Sequence, residues 1–489
     1  MNAPFDNEKY ERLSKGLEIN EVMLSYCKNF IDFRIDSNTY KKEYIELEEK
    51  MFLLGAVKLG KYVKSVKNFG AYSLTSQIVF TEEGLPFLRA QNVKENFIDW
   101  ENLVHIDENS HDLLDKSWIS KGQVLMTMAG EYLGKAAVYE YDKIISSNQA
   151  IAKITLKDNA INPYYLATFI NSTYGQSEVN QLKTITGQPN INMMQIQQIV
   201  IPIATSVFQS KIEELVRKAQ VLRDESKDIV NKATTIIMDA VGIDGKSRVY
   251  NKVTSINVKS FREALLKNSR LDAEFFQPKY DDLMNALCDH KHMKLSEIVE
   301  VKKSIEPGSD EYQSEGIPFI RVSNLEKYEI SPTDVFLDKT KFGEEDLFPK
   351  KDEILFSKDG TVGIAHHLID DGDFIPSSAI LRLRIFEEID LSPEYLTAVL
   401  NSDVVQLQAV RDAGGSIIKH WRVPQVEGVI IPILTSKKRE EIKELVLLSL
   451  AKLEEAQQLN KLAKQSVKML IDENEENALK YLKQKVSEA

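Results

Sequence analysis

Cysteine is nearly missing from this sequence. Cys27 and Cys288 are the two in 489 residues, and their separation defines neither a disulfide framework nor a metal-ligand spacing. Both fall in stretches with helical patterning and read as buried thiols. Long apolar runs are missing too: none approaches the roughly 20 residues that span a bilayer, and the start Met1-Asn2-Ala3-Pro4-Phe5-Asp6 has neither the basic head nor the apolar middle of a signal peptide. The expectation is a cytoplasmic protein that carries no metal. Catalytic signatures are also absent. No glycine-rich dinucleotide fingerprint occurs, His366-His367 has no Cys or carboxylate at metal spacing, and His105 and His111 lie in polar sequence. Asn162-Pro163-Tyr164-Tyr165 lacks the second proline of an amino-methyltransferase motif and reads as a helix cap, Asn followed by Pro at the first helical position. Gly242-Ile243-Asp244-Gly245-Lys246-Ser247 ends like a phosphate loop, but Ala240 stands where the first glycine is needed, so it reads as a helix-ending turn. Nothing names a reaction, and the chain is expected to be non-catalytic with no cofactor of its own.

What is present is folded-protein composition, 43% hydrophobic and 28% charged, with a net charge of −12. That balance excludes a nonspecific nucleic-acid sponge, whose affinity comes from many lysine and arginine contacts to phosphate. It leaves room for local basic surfaces, because the acidic residues concentrate in helical stretches and near the end (Asp472, Glu473, Glu475, Glu476).

Two stretches carry apolar or small residues at alternating steps of four and three. The first runs Phe208, Ile212, Leu215, Ala219, Leu222, Ser226, Ile229, Ala233, Ile236, Ala240. The second runs Ile442, Val446, Ser449, Leu453, Ala456, Asn460, Ala463, Val467, Leu470. Both rhythms are coiled-coil seams, and Asn460 is a polar seam residue of the kind that fixes register. The predicted seam contacts are Ile212, Leu215, Leu222, Ile229 and Ile236 against Ile442, Val446, Leu453 and Val467.

Each helix follows a strand-like run with Pro-Ile (Val200-Ile201-Pro202-Ile203 and Ile430-Ile431-Pro432-Ile433), and the surroundings repeat as well. Arg34-Ile35-Asp36 corresponds to Arg270-Leu271-Asp272. Gly84-Leu85-Pro86-Phe87-Leu88-Arg89-Ala90-Gln91-Asn92 corresponds to Gly316-Ile317-Pro318-Phe319-Ile320-Arg321-Val322-Ser323-Asn324. Asn162-Pro163 through Asn171-Ser172 corresponds to Ser392-Pro393 through Asn401-Ser402. The offset drifts only from 236 (270 less 34) to 230 (432 less 202), which marks a tandem duplication rather than a solenoid. The predicted organisation is α+β: a helical segment 1–58, a globule 59–205, a long helix 206–241, a connector with a helix 242–294, a second globule 295–435, a second long helix 436–472 and an acidic tail 473–489. Duplicated units pair about a pseudo-two-fold axis, which makes the long helices antiparallel partners. At 1.5 Å per residue each would measure roughly 50 Å.

Two globules, two exit helices, the doubled Gly-[Leu/Ile]-Pro-Phe-[Leu/Ile]-Arg, and the segments Thr186-Gly187-Gln188-Pro189-Asn190-Ile191-Asn192 and Gly414-Gly415-Ser416-Ile417-Ile418-Lys419-His420-Trp421 resemble the specificity subunits of type I restriction-modification systems. The resemblance runs from about Arg34 to Leu470. It implies that the globules are target-recognition domains bound to double-stranded DNA and that the helices are a spacer docking two methyltransferase (modification) subunits. Adenine methylation would then belong to those subunits and cleavage to restriction/translocase subunits, with S-adenosylmethionine, ATP and Mg held by those partners in host defence. A helix of roughly 50 Å matches one to one and a half turns of B-DNA, predicting a bipartite target with an unread gap and unlike halves.

Arginine and lysine read guanine, asparagine and glutamine read adenine, and further basic residues hold phosphate. The DNA-contact candidates are Arg89, Gln91, Asn92, Lys183, Gln188, Asn190 and Asn192 in the first copy, and Arg321, Ser323, Asn324, Lys358, Lys419, His420 and Arg422 in the second. Arg89 and Arg321, present in both copies, read equally as holders of the shared fold. The competing function is a duplicated protein–protein adaptor without sequence-selective DNA binding.

Overall fold

The structure is a computed structural model describing residues 6–69, 72–101, 103–157, 160–184, 187–243, 257–267, 270–414 and 419–488. Thr186, the stretch 415–418 and Asp244 through Ser247 of the motifs above lie outside the described residues. The chain forms two compact units, residues 1–222 with 455–489, and residues 223–454.

The first unit begins with short helical turns, among them Leu24–Cys27. It continues with α1 (Lys42–Leu53), β1 (Val63–Lys67), β2 (Leu85–Leu88), β3 (Val124–Thr127), β4 (Ala136–Val138), β5 (Ile151–Leu156), α2 (Pro163–Asn171) and α3 (Thr173–Leu182). Four strands make an antiparallel sheet in the order β1-β5-β3-β4. Both faces of its centre are buried because successive side chains point to opposite sides. Val124 and Met126 pack with Ile154, Tyr165 and Phe169 under the helices. Leu125 packs the other way with Ala137, Ile151, Leu88 and Val93. That second layer is a small sheet in which β2 pairs antiparallel with Val104–Ile106 and parallel with Ser146–Ser147.

The second unit repeats this topology, except that its small sheet has three strands and lacks a counterpart of Phe80–Thr81. Its elements are α4 (Pro278–Cys288), β6 (Val299–Lys303), β7 (Ile317–Ile320), β8 (Ile354–Ser357), β9 (Ala365–His367), β10 (Ile380–Ile385), α5 (Pro393–Asn401) and α6 (Asp403–Asp412). The sheet order is β6-β10-β8-β9, and β7 pairs antiparallel with Phe336–Leu337 and parallel with Ile375–Pro376. Glycine opens both motif strands for a steric reason. A Cβ on Gly316 (φ +137°) would stand 2.2 Å from the Leu337 carbonyl oxygen, and one on Gly84 would stand 2.5 Å from that of Ile106.

The helix cap read at Asn162 is present: its Oδ1 accepts the Tyr164 N–H at 2.8 Å, and Ser392 caps α5 through the Tyr395 N–H at 3.2 Å. Tyr165 and Tyr395 are buried, and each hydroxyl donates to a strand carbonyl, of Pro202 at 2.8 Å and of Pro432 at 2.7 Å. Gly242 (φ +73°) ends the first long helix with the Gly242 and Ile243 N–H groups returning to Asp239 and Met238.

The long helices are Ser206–Val241 and Ser436–Asp472. In the first unit Phe208, Ile212, Leu215, Ala219 and Leu222 share a core with Ala456, Leu459, Ala463, Val467 and Leu470, and Lys218 pairs with Glu455 at 2.7 Å. In the second unit Ala233 and Ile237 share a core with Ile442 and Val446, the Ser226 and Ser449 hydroxyls meet at 2.8 Å, and Lys452 pairs with Glu225. Partners run in opposite directions along the two helices, as expected of an antiparallel pair. Ile229 is buried, Leu453 half-buried, and Ile237 rather than Ile236 is fully inside; the seam shifts by one residue near the helix end, since 3.6 residues per turn drifts against a 3.5 repeat.

Two readings need correction. Cys27 is buried but Cys288 is exposed, because it is the last residue of α4 on that helix's solvent side. The stretch taken as an acidic tail contains a helix, Glu475–Glu488, whose Ala478 and Leu482 join the first unit's core. Its lysines at 480, 483 and 485 alternate with apolar residues and make it amphipathic. Glu475 accepts the Thr205 N–H at 3.0 Å, and Asp472 accepts from Lys50 and the Tyr174 hydroxyl, each at 2.6 Å. Partial burial works against the Asp472 carboxylate, but its hydrogen bonds from Lys468, Lys50 and Tyr174 prevail and hold it well below the usual carboxylate range.

The two sheets solve one polar problem differently. In the second unit Arg382, on β10, is buried and pairs with buried Glu353 through Nε at 2.7 Å and Nη2 at 3.0 Å. The registers place Lys153 and Gln123 at the corresponding positions of the first unit. Lys153 is 1% exposed with only the Ser147 hydroxyl at 3.1 Å and the Ser117 carbonyl at 3.4 Å, and burial pushes its ammonium down to about 7. A lysine whose folded value is depressed costs stability fully below that value, and the cost fades as pH rises towards the unfolded value near 10.4. Lys153→Met should therefore stabilise the first unit by up to about 4 kcal/mol at pH 7, with the gain shrinking by about pH 10; denaturant titrations at both pH values check this.

Candidate nucleic-acid interface

In the second unit three short segments converge at one rim of the sheet, and the first unit has the same three segments in the same order. The first is the turn after the motif strand, Arg89 to Asn92 and Arg321 to Asn324. Its geometry follows from one buried side chain. Asn92 is 1% exposed; its Oδ1 accepts the Arg89 N–H at 3.0 Å and its Nδ2 donates to the carbonyls of Asp99 and Glu101. Asn324 does the same with the Arg321 N–H at 3.1 Å and the Pro332 carbonyl at 3.1 Å. Asn92 and Asn324 are thus turned inward and spent on the turn, which corrects their reading as base contacts. Arg89, Gln91 and Arg321 are half-buried and Ser323 is exposed; Arg321 pairs with Asp334 at 3.1 Å.

The second segment is the glycine turn at the end of β3 or β8, with Gly130 at φ +76° and Gly360 at φ +71°. In the second unit it sits beside the first segment, the Val322 side chain lying 4.0 Å from a Cβ built on Gly360. Lys358 carries an ion pair with Asp359.

The third segment follows α3 or α6 and runs back along the glycine turn as a strand-like bridge. Ala129 pairs with Asn190 and Thr184 with Asn190; Asp359 pairs with His420 and Gly414 with His420. Backbone bonds fasten each side: Gly130 N–H to Pro189 at 3.1 Å and Ile191 N–H to Met128 at 2.9 Å, Gly360 N–H to Lys419 at 2.9 Å and Trp421 N–H to Lys358 at 2.8 Å. The segment leaves its helix where a repeated arginine holds the end. Arg34 Nη1 donates to the carbonyls of Leu182 at 2.6 Å and Lys183 at 2.8 Å, and Arg270 Nη1 donates to that of Asp412 at 3.1 Å. Sequence comparison of the two copies aligned these arginines, but their role in setting the segment's departure was not legible from spacing.

On this third segment Gln188, Asn190 and Asn192 are exposed in the first unit and Lys419, His420 and Arg422 in the second. Asn192 caps the helix Met193–Ile196 through Oδ1, and Arg422 stands at the corresponding place before Val423–Glu427. Lys183 is half-buried, bonded to Asn180 Oδ1 at 2.8 Å, and burial with nearby Lys41 lowers its ammonium from the ordinary value. No group of three His, Cys, Asp or Glu able to hold a metal occurs among the described residues, and no described helix is long and apolar enough to cross a membrane.

The exposed polar side chains of the third segment stand on a loop that is built twice and backbone-bonded on both sides. Residues 289–465 match the family model of the type I restriction modification DNA specificity domain. On that match the second copy carries a type I restriction modification DNA specificity domain. The match covers the second copy, and the first copy shares its topology and rim. No curated protein sequence matches. Among solved structures, the S subunit of a type I restriction-modification system from M. genitalium is 12% identical, with 87% of this chain and 95% of that chain covered at a TM-score of 0.33. The HsdS subunit from Thermoanaerobacter tengcongensis is also 12% identical, with 86% and 96% covered at 0.28. The adaptor alternative finds no support in these matches.

If Asn92 and Asn324 hold the turns, Asn92→Ala and Asn324→Ala should each destabilise their unit by about 1–3 kcal/mol, the cost of orphaning buried backbone groups. Exposed Gln188→Ala should stay within about 0.5 kcal/mol. Denaturant unfolding of the three variants makes the comparison.

Proposed function

We propose that each unit is a target-recognition domain reading one half of a bipartite double-stranded DNA target, with an unread spacer between the halves. The reading side chains are those exposed on the third segment, Gln188, Asn190 and Asn192 in one unit and Lys419, His420 and Arg422 in the other. Arg89, Gln91, Arg321, Ser323, Lys183 and Lys358 supply phosphate contacts or support. One observation carries this: the same hydrogen-bonded rim is built twice, and its exposed side chains differ between copies, as two unlike half-sites require.

In this proposal the chain is non-catalytic. It directs two adenine methyltransferase subunits docked on the long helices, and restriction/translocase subunits joined to them, in the cytoplasm of a prokaryote. S-adenosylmethionine, ATP and Mg belong to those partners. Methylation mapping of the genome with and without the gene tests it. The expected result is loss of methylation at one split motif, and exchange of residues 295–435 for those of another such subunit should alter one half of the motif only. Identical methylation patterns with and without the gene would sink the proposal.

A further inference from the structure

We propose that Asp359–His420 in the second unit and Ala129–Asn190 in the first are matched specificity positions, which make the two readers accept bases of opposite hydrogen-bonding polarity at one place in each half-site. This rests on the reading of the chain as a two-reader DNA-specificity subunit.

The positions are equivalent by backbone pairing. Ala129 faces Asn190, and Asp359 faces His420, across the same bridge between the glycine turn and the returning segment. In the second unit His420 Nδ1 lies 2.8 Å from Asp359 Oδ1, on a side chain 63% exposed. A carboxylate only accepts, so Nδ1 carries the proton. The neutral ring then has its other nitrogen, Nε2, as an acceptor. Asp359 is itself held in place by its ion pair with Lys358. In the first unit alanine removes the orienting carboxylate, and the Thr184 hydroxyl instead donates to Asn190 Oδ1 at 2.8 Å. One of the two lone pairs of that exposed amide's oxygen is taken up by this bond, and its NH2 end is a donor.

Holding the loop does not require the imidazole–carboxylate contact. Gly414 and His420 already exchange backbone bonds at 3.1 and 2.7 Å, and Gly360 and Trp421 fasten the other edge. The contact's distinctive effect is to choose which ring nitrogen is protonated. In the major groove an acceptor pairs with the amino group of adenine or cytosine, whereas a donor pairs with guanine O6 or N7, adenine N7 or thymine O4.

The test is selection from random duplexes by the full chain co-expressed with its methyltransferase, at about pH 8, where an ordinary imidazole is neutral. His420→Asn combined with Asp359→Ala should change the preferred base at one position of one half-site by about tenfold, leaving the other half unchanged. Asp359→Asn, whose amide oxygen still accepts from Nδ1, should keep the parent motif. The transplant Ala129→Asp with Asn190→His should change one position in the other half, and it decides the question if the first variant fails to fold. Variants that select the parent motif with undiminished preference, or that weaken every position alike, would overturn the inference. A parent protein that selects no motif would instead overturn the two-reader reading beneath it.

Discussion

A single asparagine clasp fixes the geometry on which each unit depends. Asn171, the last residue of α2, accepts the Ala136 N–H through Oδ1 at 2.9 Å and donates through Nδ2 to the Ala136 carbonyl at 2.8 Å. Asn401 makes the same pair with Ala365, at 3.0 and 2.8 Å. Both asparagines are buried, so neither backbone group could turn to water if the amide were lost. The clasp docks the end of one helix on the edge strand of the sheet and thereby sets where the next helix starts. That next helix ends at the arginine-held carbonyls from which the third segment departs. Helix, sheet edge and loop are therefore one chain of constraints, and the exposed side chains at its end inherit a fixed position.

The doubled scaffold keeps its backbone solutions and varies its charges. Arg382 with Glu353 and Lys153 with Gln123 occupy the same two places, yet one is a buried ion pair and the other a buried lysine served by a hydroxyl and a carbonyl. Buried Glu178 and Gln408 show the same tolerance. The Glu178 carboxylate accepts the Val200 N–H at 2.8 Å and burial pushes it up to about 8, while Gln408 accepts the Ile430 N–H at 2.9 Å as a neutral amide. A carboxyl held mostly neutral at pH 7 and a carboxamide are nearly interchangeable here. The fold asks for shape and an acceptor at these points, not for charge.

Much of this architecture was legible because it was written twice. The paired Gly-x-Pro-Phe strands, the Pro-started helices and the exit helices were each short signals, and their recurrence at a nearly constant offset gave them meaning. Small strands such as Ser146–Ser147 gave no signal, since two polar residues carry no periodicity. The rim was only partly readable. Gln188, Asn190, Lys419 and His420 were singled out because they stand on a segment whose polarity differs between copies, and the fold leaves all four exposed. Asn92 and Asn324 were misread because an asparagine that binds a base and one that locks a turn look identical in one dimension. The C-terminal helix was missed because four acids at its start masked apolar residues at helical spacing behind them.

The core of the first unit is drawn from both ends of the chain, with Ala456 through Leu482 packed beside residues before Leu222, while the second unit is a continuous stretch from Arg223 to Glu454. On a ribosome, which releases the chain from its N-terminus, the later-made half can close first. The earlier-made half must wait with an unfilled groove until residues 456–482 have been made. A polypeptide cut short before them leaves that half without the side chains of Ala463, Val467, Ala478 and Leu482 that close its core.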